Sequence, residues 1–147
     1  MRNIIRILIC WLVILSQVSA QNISNKGREF WLGYGKNSTH SEASFMIYLS
    51  TDVAAKVEIY TNGGGTLYRT YNVAANSVEL VGPISSALAH MMNEGYHGGK
   101  SIRIKSDVPI SVFSHVYSEK SSGATMLMPV ESYGYEYYAV CATQRYA

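Results

Sequence analysis

The sequence predicts an all-β domain, an antiparallel β-sandwich of about eight to ten short strands. Two observations carry this: apolar residues alternate with period 2 in run after run, and turn-forming clusters separate the runs at intervals of about eight to twelve residues. A jelly-roll-like and an Ig-like arrangement fit that rhythm equally well. The longest organised stretch runs from Val108 to Val140. In its first half Ile110, Val112, Ser114 and Val116 share one face and Ser111, Phe113, His115 and Tyr117 the other, as in a core strand.

Taken in order, Asn22 to Glu29 is polar and reads as a flexible lead-in to a short aromatic strand, Phe30 to Gly35. Its glycines predict a bulge or a close backbone approach. After a polar loop, Lys36 to Glu42, Ser44 to Thr51 is a strand with Phe45, Ile47 and Leu49 inward and Met46 and Tyr48 outward. Lys56 to Thr61 is the next, with Val57 and Ile59 inward. The run Asn62-Gly63-Gly64-Gly65 closes a turn, because asparagine and glycine tolerate positive φ. Thr66 to Val73 and Ser77 to Val81 flank the turn Ala74-Ala75-Asn76 and continue an up-and-down order.

Ser85 to Asn93 breaks the rhythm: Ala87, Leu88, Met91 and Met92 suit a short helix or an irregular crossover. Tyr96 to Gly99 is a loop into a strand at Ser101 to Lys105, and Asp107-Val108-Pro109 reads as a connection to the core strand. Ser118 to Gly123 is polar and turn-forming, so the chain reverses and returns as Ala124 to Met128 in a hairpin. Pro129 ends that strand or places it on an edge. Tyr135 to Thr143 reads as one further strand, followed only by 144–147, which gives the expectation of a fragment of a longer chain.

Residues 1–20 carry the pattern of a secretory signal peptide: basic Arg2 and Arg6, an apolar run from Ile7 to Leu15, and Val18-Ser19-Ala20 before Gln21. The run is shorter than the roughly 20 residues that span a bilayer, so no permanent membrane span is expected. Cys10 follows Ile9 and lies inside the apolar run, which does not suit lipidation. Its removal leaves Cys141 as a lone thiol, read as a small strand residue; without an internal disulfide, stability must come from the core of a single domain, 21–147. Removing Arg2 and Arg6 takes the 12 basic residues to 10, equal to the 10 acidic ones. No basic stripe survives, since Arg103 and Lys105 read as the solvated face of a strand, and nucleic-acid binding is disfavoured.

Four runs together resemble the N-terminal domain family of IgG Fc-binding-like proteins, from exported and surface proteins of gliding bacteria. They are Asn25 to Tyr34 (N-K-G-R-E-F-W-L-G-Y), Tyr48 to Thr51, Ile104 to Ile110, and Gly123 to Tyr138 (G-A-T-M-L-M-P-V-E-S-Y-G-Y-E-Y-Y). The resemblance spans most of 21–147, and the last run is its most specific part. It implies a truncated member, because the family's domain is longer and precedes further extracellular modules and a C-terminal secretion signal. No binding residue is transferred from it.

His40, His90, His97 and His115 lack H-x-H or H-x-x-x-H spacing and a cysteine pair, so no metal site is expected. Ser114, His115 and Glu131 invite a hydrolase reading, but adjacent strand residues face opposite ways and the G-x-S-x-G elbow is missing. The glycines at 63–65 lack the lysine and the strand-to-helix context of a phosphate loop. Asp52, Asp107 and Glu119 are too scattered for calcium, and the sequons at Asn22 and Asn37 matter only in a eukaryotic secretory route.

No catalytic residue and no cofactor is expected. Trp31, Tyr133, Tyr135 and Tyr137 form the candidate binding surface, the tyrosines alternating to one face with Tyr138 on the other. The alternative is that they pack against downstream strands. The expectation is an exported, non-catalytic binding or structural module of a cell-surface or secreted protein, serving adhesion or protein–protein contact. The second reading is carbohydrate binding, with Trp31 or tyrosine rings stacked on sugars.

Overall fold

A computed structural model describes residues 24–35, 43–89, 97–118 and 122–136. In chain order it contains β1 (Gly27–Leu32), β2 (Ser44–Thr51), β3 (Ala55–Thr61), β4 (Thr66–Val73), β5 (Ser77–Ile84), α1 (Ser86–Ala89), β6 (Ile102–Tyr117) and β7 (Ser122–Met126). Single 3-10 turns lie at Gly98–Lys100 and Val130–Ser132. Every strand pairing is antiparallel. The described strands number seven rather than eight to ten: two of the expected short ones are a single long β6, and the strand expected at Tyr135 to Thr143 lies, beyond residue 136, outside the described residues.

β6 is the strand the fold is built on. Ile104 pairs with Phe30 of β1 on one side and Ile59 of β3 on the other, whereas Phe113 lies between Tyr48 of β2 and Met126 of β7. The two halves of β6 therefore belong to two sheets, β4-β3-β6-β1 and β5-β2-β6-β7. The corner is a bulge: the β1 register passes from Glu29↔Lys105 to Gly27↔Ile110. Sequence reading places a connection at 107–109, but these residues bend the strand without ending it. Pro109 sits in the bulge, where a missing N–H removes no ladder bond. Asp107 Oδ1 accepts the Lys56 N–H at 2.8 Å, tying the corner to β3.

Between the sheets lie Phe30, Leu32, Val57, Ile59, Ile102 and Ile104 from one side and Phe45, Ile47, Leu49, Val81, Ile110 and Val112 from the other, all buried. Full burial of such side chains contributes about 1.5–3 kcal/mol each before entropy is counted. Tyr34 closes one end: its ring lies 4.8 Å from that of Phe45, and its hydroxyl donates to the Met46 carbonyl at 2.7 Å.

β2 matches its expected range, and β3 gains only Ala55. The turn after β3 has positive φ at Asn62, Gly63 and Gly64. β1 starts earlier than expected, at Gly27, because Arg28 and Glu29 lie in the strand instead of a flexible lead-in. The close approaches fall at Gly27 and Gly64, while Gly35 faces open space. β4 and β5 do not pair with each other: β4 pairs with β3 and β5 with β2, so residues 74–76 cross between sheets. The expected helix is one turn in its described part, Ser86–Ala89. Tyr117↔Ser122 pairing closes the expected hairpin, with β7 two residues ahead of its expected limits. No helix among the described residues is long and apolar enough to cross a membrane.

Candidate functional site

The two outer faces of the sandwich differ in chemistry. On the β4-β3-β6-β1 sheet, cross-strand pairing sets Leu67, Tyr60, Arg103 and Trp31 in one row and Thr70, Glu58, Lys105 and Glu29 in the next. Trp31, one of the expected binding residues, is engaged within this face. Its indole N–H donates to Glu29 Oε1 at 3.1 Å, and the Arg103 guanidinium lies 5.4 Å from its ring centroid. Arg103 Nε and Nη2 meet the same carboxylate oxygen at 2.9 and 2.8 Å. The far edge of the indole presses on the hairpin turn, where a Cβ at Gly64 would lie 2.7 Å from Trp31 Cη2.

The neighbouring carboxylate is equally committed. Glu58 accepts the Tyr60 hydroxyl at 2.8 Å and pairs with Lys56 at 3.0 Å. The tyrosine hydrogen bond first, then the lysine, hold the Glu58 carboxyl below the usual glutamate range. A sugar approaching this face must displace an arginine already stacked on the indole and hydrogen bonds already made. Solvent screens exposed pairs of this kind, so the face is a solvated surface whose polar groups satisfy one another.

The outer face of the β5-β2-β6-β7 sheet is built differently. Registers place Leu80, Tyr48, Phe113 and Met126 directly opposite one another, a row of large side chains across all four strands. On one side lies Met46, His115 and Ala124; on the other, Val78, Ser50 and Ser111. Tyr117 stands beyond His115, and the rings of Tyr48 and Tyr117 lie 6.0 and 5.4 Å from the imidazole. No Lys, Arg, Asp or Glu belongs to these rows.

β5 makes this face apolar by running its alternation backwards. Val81 and Ile84 are buried in the core, with a bulge at Gly82 and Pro83 between them, and that register turns Ser77 and Glu79 inward and Val78 and Leu80 outward. The outward side chains are exposed to solvent: Val78 61%, Leu80 47%, Met126 41%, Tyr117 40% and Phe113 37%. Single exposed apolar residues are ordinary, but a contiguous patch is the surface signature of a contact site.

The hydrolase constellation is not assembled. Ser114 Oγ faces the Thr125 carbonyl at 3.5 Å, and Glu131 Oε1 accepts the Arg28 N–H at 2.9 Å. The hydroxyl that meets His115 is Ser122, 2.9 Å from Nε2, across the hairpin and invisible to sequence spacing. The other ring nitrogen, Nδ1, faces the Tyr48 hydroxyl at 3.5 Å, where a serine triad would set a carboxylate. Among the described residues, no three His, Cys, Asp or Glu side chains group as a metal site.

The tyrosines expected beside Trp31 are placed elsewhere. Tyr133 caps the 3-10 turn Val130–Ser132, and Tyr135 is fully exposed in a bend, so neither alternates along a strand. That turn covers the Gly27 end of β1, four residues or about 13 Å along the strand from Trp31. Tyr137, Tyr138, Cys141, His40 and His90 lie outside the described residues, as do the segment read as a signal peptide and the asparagines of both sequons, Asn22 and Asn37.

Comparison of the chain with protein-family models, with curated proteins and with solved structures returns no match.

Proposed function

We propose that this chain is an exported, non-catalytic contact module of a surface or secreted protein, of the kind implied by the resemblance to the IgG Fc-binding N-terminal domain family. It docks through the outer face of the β5-β2-β6-β7 sheet. The observation that carries this is the reversed alternation of β5, which sets Leu80 in line with Tyr48, Phe113 and Met126, and Val78 in the next row with Ser50 and Ser111, rows that hold no charged side chain. A folded chain pays for exposed apolar rows in solubility, and such departures from local patterning belong at contact sites. Protein is favoured over glycan as the ligand, because the indole best suited to a sugar is already engaged by Arg103 and Glu29. The reading is tested by placing a photo-reactive phenylalanine analogue at Phe113 or at Tyr60 in cells that produce the chain. Adducts from position 113 and none from position 60 are expected; the reverse pattern refutes the docking face.

A further inference from the structure

Asn62 opens the turn between β3 and β4 and is followed by the glycines at 63, 64 and 65. An asparagine can react with the peptide nitrogen that follows it: the nitrogen attacks the side-chain Cγ, and ammonia leaves. Glycine in the following position favours this most, because no Cβ shields the attacking nitrogen. Asn62 and Gly63 are both exposed, and the β3-β4 ladder closes at Thr61↔Thr66, short of them. Ring closure requires rotation about the Asn62 Cα–C bond, out of the left-handed form marked by its φ of +54°. The bond that resists is Gly65 N–H to the Asn62 carbonyl at 3.3 Å, long for its type, so its loss slows closure by no more than about tenfold.

The other described asparagines are held or shielded. Asn25 Nδ2 donates to Met126 Sδ at 2.9 Å. Asn72 lies inside β4, paired with Lys56. Asn76 has the same φ as Asn62, but Ser77 follows it, a residue that carries a side chain and begins β5 paired with Thr51. In the whole sequence, Asn62 is the one asparagine that precedes a glycine.

We infer that Asn62 is a self-modification site whose conversion to isoaspartate unlocks Trp31. The inference is independent of the docking face, since it concerns the opposite sheet. In the first step the Gly63 nitrogen bonds to Cγ, the bond from Cγ to the amide nitrogen breaks, and the Gly63 proton leaves with that nitrogen as ammonia. Water then opens the cyclic imide at Cγ, which yields aspartate, or at the main-chain carbonyl, which yields isoaspartate with the chain running through the former side chain. Both products gain a carboxylate. Only isoaspartate lengthens the backbone, by one methylene carbon, inside a turn whose ends are fixed by Thr61↔Thr66 pairing. Gly64 then has to move. A Cβ there would lie 2.7 Å from Trp31 Cη2 and 3.2 Å from Arg103 Cδ, so its movement loosens the packing that holds the indole against Arg103 and Glu29. The switch is set by time after folding and needs no reactant but water.

Incubation of the purified chain at mildly alkaline pH, followed by peptide mapping that separates aspartate from isoaspartate, tests this. Asn62 should react before any other asparagine, with isoaspartate among its products, at a rate within about tenfold of that in the same chain unfolded in urea. A second Trp31 indole N–H resonance should grow in step with the isoaspartate fraction. Asn62→Asp adds the charge but keeps the backbone, and aspartate tolerates the left-handed form, so its Trp31 resonance should stay nearer that of the unmodified chain. Another asparagine reacting first, or a folded rate more than about tenfold below the unfolded one, overturns Asn62 as the site. Isoaspartate at 62 with an unmoved Trp31 resonance, or Asn62→Asp moving that resonance as far as isoaspartate does, overturns the unlocking.

Discussion

Gly27→Ala is expected to destabilise the fold by about 2 kcal/mol, and the value follows from the cover on β1. A Cβ at Gly27 would lie 2.2 Å from Pro129 Cβ, 2.7 Å from Glu131 Oε2 and 2.9 Å from Pro129 Cγ. Unbonded carbons rest about 3.5–4.0 Å apart, so β1 or the 129–131 turn must retreat by more than about 1 Å. Pro129 is fully buried, and Glu131 accepts the Arg28 N–H, so retreat loosens both. Overpacking of this kind costs about 1–3 kcal/mol and the lost hydrogen bond about 1 kcal/mol. Alanine returns about 0.4–1 kcal/mol by restricting the unfolded chain, since the Gly27 backbone is not left-handed. With a urea slope of about 1–3 kcal/mol per molar, the midpoint should fall by about 1 M. Glu131→Ala removes only the hydrogen bond and should move it about half as far. A Gly27→Ala midpoint equal to wild type would refute the packing described for this turn.

Other expectations are as specific. Gly64→Ala combines a φ of +79° with a Cβ 2.7 Å from Trp31 Cη2, so it should cost about 1–3 kcal/mol and shift the Trp31 indole N–H resonance; an unmoved resonance counts against the contact. Val78→Thr and Leu80→Thr, facing solvent, should each change stability by no more than about 0.5 kcal/mol, whereas Leu49→Ala, fully buried, should cost about 2–5 kcal/mol. The Glu58 carboxyl is held below the usual glutamate range in the folded chain, so its contribution is present above the unfolded value and is lost as pH falls from there through the lower folded one. Tyr60→Phe should raise the Glu58 midpoint in an NMR titration, and an unchanged midpoint contradicts the assigned hydrogen bond. Burial pushes the Tyr34 hydroxyl well above the ordinary tyrosine value, so stability should decline as pH rises past the unfolded value, with no Tyr34 phenolate signal before unfolding.

Strand identity was legible where one face is buried and the other is not. Phe45, Ile47 and Leu49 mark β2 by period alone, and Asn62 to Gly64 mark a turn because few other residues accept its backbone. What failed was non-local. Pro109 looks like a break, and it lies within β6 because the strand bends there between sheets. Glu29 looks like solvent-facing lead-in until Arg103 and Trp31 are set beside it. β4 and β5 look like a hairpin, yet each pairs with an earlier strand.

The candidate site was less legible than the fold. Trp31 was identifiable as a surface aromatic, but its engagement by residues 29 and 103 was not. The outer face of the β5-β2-β6-β7 sheet draws its row of large side chains from Leu80, Tyr48, Phe113 and Met126, which are close only through three strand registers. Period 2 would turn Val78 and Leu80 inward; the burial of Val81 and Ile84 outweighs it and turns them out.

The most direct measurement on the proposed docking face is hydroxyl-radical footprinting of the chain in the cells that produce it, its native setting, against the same chain dilute and purified. Protection of Phe113, Tyr117 and Met126 in the native setting, with Tyr60 equally reactive in both, is the expected result. Equal reactivity of Phe113, Tyr117 and Met126 in the two states, or protection confined to Tyr60 and Trp31, would contradict it.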